Sequence, residues 1–100
     1  MSSTFAIGAG AITLYLPGCH SLKEKRQIIQ SLLARIRNHF SVAIAEVEEQ
    51  DRWQIAKLGV TYVSNNGQHA GEVVEHVRRY IEETRPDIFV TDFQSEILHW

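Results

Sequence analysis

The residues best able to do chemistry in this chain crowd into one stretch, Pro17-Gly18-Cys19-His20-Ser21-Leu22-Lys23-Glu24-Lys25-Arg26. Cys19 and His20 are the types that serve as nucleophile and general base. Neighbours in sequence aim their side chains apart, however, and no third group is in view to orient the histidine, so Cys19 reads as an ordinary thiol. Ser21 with Glu24 three residues on is the signature of a capping box at a helix start. A helix start carries free N–H groups and a partial positive charge that receive anions. Lys23, Lys25 and Arg26 would add donors there, although the box itself already satisfies N–H groups. The helix-start reading therefore outweighs the anion-site reading. Lys25 stands out because it lies three after Leu22 and four before Ile29, on the apolar side of the helix. A solubilising lysine is out of place there; it can snorkel to the end of the sheet or pair with a carboxylate such as Glu46.

Other chemistry is weaker. Glu46 and Glu48 are two apart, which on a regular strand places both carboxylates on one face, as acid–base work would need. A solvated edge is the simpler account. Of the five histidines, His69 and His76 share a helix face but sit two turns apart, and no cysteine pair or His-x-x-x-His spacing exists, so no metal site is expected. No cofactor motif is present either. Lys57-Leu58-Gly59-Val60-Thr61-Tyr62-Val63 offers one aromatic where a base-stacking RNA-recognition strand has three. Trp53-Gln54 reads as core or interface. No DNA-binding motif occurs.

Net charge is −2, with 44% hydrophobic and 22% charged residues, ordinary for a globular protein. Distribution says more than the total. Ser21 to Phe40 holds Lys23, Lys25, Arg26, Arg35 and Arg37 against Glu24, a local +4, whereas Glu46, Glu48, Glu49 and Asp51 form a local −4. The apolar run Phe5 to Leu16 is too short for a membrane span and lacks a basic leader. One cysteine rules out an internal disulfide framework, and a reducing cytoplasm is the expected compartment.

These residues must be positioned by elements, and the pattern names them. Residues 5–16 alternate as a strand that Pro17-Gly18 stops. A helix follows with the stripe Leu22, Ile29, Leu32, Leu33, Ile36 and Phe40, ending near Asn38-His39. Strands are expected over Val42 to Val47 and Trp53 to Ser64. Asn65-Asn66-Gly67 caps a second helix with the stripe Ala70, Val73, Val74, Val77 and Ile81. Thr84-Arg85-Pro86-Asp87 breaks it, and Ile88 to Phe93 is the last strand, with Gln94 to Trp100 either extending it or lying across the sheet. The order βαββαβ predicts one α+β domain over residues 1–100: a ferredoxin-like two-layer sandwich, four antiparallel strands with both helices on one face.

The strings LPGCHSLKEKRQIIQSLLARIR and SVAIAEVEEQDRWQIAKLGVTYVSN resemble the YlxP-like family of small bacterial proteins, domain of unknown function 503. The resemblance rests on Ser21 to Arg26, Ala45-Glu46-Val47, Asp51 with Trp53-Gln54, and Leu58-Gly59-Val60. Cys19-His20 departs from the small or basic pair usual there. The resemblance implies the same fold. Genes of the family lie in some bacteria beside those of a translation initiation factor and a ribosome-binding factor, which implies an RNA or ribosome setting. Together with the +4 segment this predicts a non-enzymatic factor that binds RNA or the ribosome through Lys23, Lys25, Arg26 and Arg37. The alternative is an enzyme or binding protein for a small anion at the helix start near Lys25 and Glu46. The sheet face away from the helices predicts a homo-oligomer through Tyr15, Thr13, Thr61, Val63 and Trp100.

Overall fold

A computed structural model describes residues 4–100 of the protein. In chain order the elements are β1 (Ala6–Tyr15), α1 (Leu22–His39), β2 (Ala43–Glu48), β3 (Ile55–Ser64), α2 (Gly67–Thr84) and β4 (Phe89–His99). The sheet runs β2-β3-β1-β4 with every neighbouring pair antiparallel. This is the ferredoxin-like α+β sandwich that the element order predicts.

Local chemistry accounts for the elements. Ser21 caps α1, its Oγ accepting from the Glu24 N–H at 3.1 Å, and Glu24 in turn accepts from the His20 N–H at 3.2 Å. Asn66 does the same for α2, its Oδ1 accepting from the His69 N–H at 3.1 Å. The apolar stripes of both helices then meet the inward residues of the strands. Ile29, Leu32 and Ile36 of α1, Val74, Val77 and Ile81 of α2, and Ile12, Leu14, Leu58 and Val60 of the sheet form one buried core. On the flank of α2 beside β4, Arg78 bonds Glu75 and Glu82, its guanidinium 5.4 Å from the centre of the Phe93 ring. The first of these bonds holds the Glu75 carboxyl below its ordinary pKa.

The last strand is longer than its apolar run suggests. Pairing with β1 continues from Tyr15 opposite Phe89 to Ala6 opposite His99, across a register shift at Thr13/Leu14. The chain closes further on Trp100, whose N–H donates to the Phe5 carbonyl at 2.9 Å. The tail therefore extends the sheet rather than lying across it. Without it, the backbone of half of β1 would lack a ladder on that side.

Close packing of α2 on β1 explains two glycines. A Cβ at Gly8 would stand 2.5 Å from the Ala70 carbonyl oxygen, and one at Gly10 would stand 2.5 Å from Val74 Cγ1. Helix backbone cannot give way cheaply. Gly8→Ala should thus lower stability by about 1–3 kcal/mol, the usual cost of overpacking. Gly59→Ala, whose Cβ meets only a valine methyl at 3.2 Å, should cost less. Urea unfolding of the two variants checks this; equal midpoints would contradict the packing account.

Candidate functional site

The start of α1 and the β2–β3 hairpin are joined by one side chain. Lys25 is 1% exposed. Its ammonium donates to the carbonyl oxygens of Glu49 at 2.6 Å, Arg52 at 2.6 Å and Ile55 at 2.8 Å. Glu46 Oε2 stands 2.9 Å from the same nitrogen. An ammonium has three protons, and the carbonyls take all three. The Glu46 oxygen is accordingly buried without a hydrogen bond of its own and is held by charge. The expected pairing of Lys25 with Glu46 is present, with three backbone acceptors that nothing in the residue pattern announces.

The hairpin is shaped to supply them. Glu49 adopts φ 61°, in the left-handed region, and its carbonyl also accepts from the Arg52 N–H at 3.1 Å. Between Glu46 and Glu48 the register on β3 shifts: Glu46 pairs with Leu58 and Glu48 with Lys57. Glu46 thus turns inward to Lys25, whereas Glu48 lies beside the Lys57 ammonium at 3.5 Å. The strand period placed both carboxylates on one face; the bulge separates them, so they form no acid–base pair.

The loop before α1 is equally occupied. Gln54 Nε2 donates to the carbonyls of Pro17 and Cys19 at 3.3 and 3.2 Å, and the Leu16 N–H donates to the Gln54 carbonyl at 2.8 Å. Cys19 is buried in the core with its thiol 3.3 Å from the Ser21 carbonyl, while His20 is exposed. Trp53, read as core or interface, is 52% exposed. No group of three or more His, Cys, Asp or Glu able to hold a metal ion occurs among the described residues. No helix there is long and apolar enough to cross a membrane.

Lys25 therefore belongs to the interior, as its place on the apolar stripe implies, and drops out of the basic set expected to bind RNA. Its ammonium has no proton left for a ligand. Lys23, Arg26 and Arg37 are exposed. At 100° per residue they fall within one narrow arc of α1, with Gln30 between them, whereas Arg35 lies on the opposite side from Arg26. Arg37 Nη2 also donates to the Ile44 carbonyl at 2.6 Å, tying the end of α1 to β2. None of these three is ion-paired among the described residues, whereas Glu46, Glu48 and Glu49 each have a cation partner in Lys25, Lys57 and Arg52. Tyr15, Thr13, Thr61, Val63 and Trp100 all fall, by strand alternation, on the sheet face away from the helices.

Residues 7–95 match the family model described as protein of unknown function, DUF503. The chain belongs to the DUF503 family. It is 36% identical over 76 residues to the protein called uncharacterized protein YlxP of Bacillus subtilis (strain 168), covering 76% of this chain and 82% of that one. Among solved structures, a hydantoinase/carbamoylase family amidase from Burkholderia ambifaria resembles it with TM-score 0.46 and 10% identity; the match takes in 100% of this chain and 28% of that chain. The DUF503 match spans both the lysine cage and the basic arc, from β1 into β4.

Removing one partner from a buried ion pair leaves the other uncompensated, at a cost of about 3–5 kcal/mol. Lys25→Met should reach that range, because it strands a carboxylate and two carbonyls that have no other donor among the described residues. Glu46→Gln should cost less than half as much, since the ammonium keeps its three carbonyls. Urea midpoints with unchanged far-UV circular dichroism check the ordering. A Lys25→Met variant as stable as the parent would remove the cage from its structural role.

Proposed function

We propose that the protein is a non-enzymatic cytoplasmic factor that docks an RNA-type polyanion, free or within the ribosome, on the exposed arc of α1. The observation that supports this reading is the electrostatic sorting of the two charged segments. The acidic hairpin spends three of its four carboxylates on Lys25, Arg52 and Lys57. The bases of α1 that face outward keep theirs uncommitted to any carboxylate.

Geometry favours a strand over a small anion. From Lys23 to Arg37 the helix rises about 21 Å, a run suited to successive phosphates. The place where a small anion would be cradled is partly taken, because Ser21, Glu24 and the Leu16 carbonyl accept the Glu24, His20 and Cys19 N–H groups. Lys23 and Arg26 lie in adjacent turns and form the denser end of the arc. Arg37 contributes while also holding β2, so its loss combines weaker binding with lower stability. Lys23 and Arg26 separate the two effects.

Filter binding to ribosomal RNA and to a single-stranded oligonucleotide tests the reading. Three phosphate contacts on a single strand give a slope of about −2 in log K against log salt, or about 20-fold weaker binding from 50 to 200 mM. Lys23→Ala with Arg26→Ala should flatten that slope by about 1.4 and leave the unfolding midpoint unchanged. Absence of binding at low salt, or binding indifferent to the double variant, ends the proposal.

A further inference from the structure

Both helices lie on one side of the sheet, and the other side carries no layer. Its exposed bulk sits at the two ends of the strands. Val63, Leu98 and Trp100, at 63, 47 and 77% exposure, mark one end; Tyr15 and Phe89, at 40 and 52%, mark the other. The middle is uncharged and mostly small, although half-exposed Val47 of β2 leans over Gly59. Ala45 of β2 stands opposite Gly59 of β3, Gly59 opposite Ala11 of β1, and Ala11 opposite Gln94 of β4. Above and below this central row the face is apolar or hydroxylated apart from Glu48, Lys57, Asp92 and Glu96, the first two of them paired with each other.

We propose that this face binds a second copy of the chain, sheet against sheet, about a two-fold axis running along the Ala45–Gly59–Ala11–Gln94 row. The area fits. Four strands about 4.8 Å apart and some nine residues at about 3.3 Å each project to roughly 600 Å². Side-chain relief brings that towards the ~800 Å² per partner of a stable interface. It already stands at the top of the ~300–600 Å² patches that monomers leave open.

The pattern is also self-complementary about that axis. The two-fold lays the small row on its own image, which lets two sheets approach to their usual face-to-face spacing of about 10 Å. It lays the Val63/Leu98 end on the Tyr15/Phe89 end, so the bulky side chains of one copy meet those of the other. One match is unfavourable: Asp92 faces the partner copy's equivalent of Glu96. Both are exposed at the β4 edge, where water and salt screen the repulsion. An axis along the strands would instead lay β4 on β2 and set Asp92 against the partner copy's equivalent of Glu48, so it gains nothing.

Sedimentation equilibrium of the full chain, from low to hundreds of micromolar, reads the outcome. The expected mass is twice the chain's 11.4 kDa. Ala45→Glu sets a charge beside its own image in the central row and should raise the dissociation constant at least tenfold, with circular dichroism unchanged. Val63→Glu, at a freely exposed position, serves the same purpose should Ala45→Glu fail to fold. Asp92→Asn should tighten the dimer several-fold, and Lys23→Ala with Arg26→Ala should leave it intact, which keeps this result separate from RNA binding. A parent mass of 11.4 kDa at every concentration overturns the proposal. So does a dimer that survives Val63→Glu, or one that Asp92→Asn leaves unaltered.

Discussion

A single ammonium that cannot reach water organises the corner where α1 meets the β2–β3 hairpin. Burying an unpaired charge is costly, so a lysine on the apolar stripe of a helix survives only where acceptors surround it. Here the requirement falls on the hairpin between β2 and β3. Glu49 takes a left-handed backbone, the register slips beyond Glu46, and three carbonyls of the connecting turn converge on Lys25 Nζ. The same tether holds the first turn of α1 against the start of β3. Gln54, clamped to the loop at Pro17 and Cys19, secures the neighbouring corner.

That constraint also settles the electrostatics. In sequence a basic segment is followed by an acidic one, a pattern that suits two opposed patches steering partners from two sides. Folding brings the segments together instead. Lys25 neutralises Glu46 inside, and the hairpin's own bases answer Glu48 and Glu49. What remains outward is smaller and sharper: Lys23, Arg26 and Arg37 along one arc of α1. The charge lies on a flank of α1, about a quarter turn from its buried stripe, while the outer sheet face presents mostly small and apolar side chains. The proposed polyanion-docking arc and the proposed self-associating face therefore use different residues.

Most of the architecture was legible in the residues. Capping at Ser21 and Asn66, the stripes of both helices and the alternation of β1 and β3 act over a few residues, and their periods transfer directly to the fold. Lys25 was legible as an anomaly, because an ammonium at a core position demands partners, and Glu46 was within reach of the argument. Its three carbonyl acceptors were not, since every residue carries one and nothing in a side-chain pattern tells which will converge. Likewise the alternation of Glu46 and Glu48 pointed to a shared face; a bulge, which costs one residue of register and leaves no mark in composition, undid it.

The sequence by itself determined the βαββαβ order, the inward and outward faces of the central strands, and the family to which the chain belongs. These follow from local periodicity and capping, which need no knowledge of distant partners. Tertiary structure alone decided that β4 runs on to His99, because polar Gln94 to Glu96 form a strand only when β1 offers them a ladder. It alone decided that Trp53 lies outside the core and which carbonyls close around Lys25. In each case the deciding energy comes from groups far apart in the chain, a backbone donor awaiting an acceptor or a charge awaiting its counterpart, and only the closed fold brings them within reach.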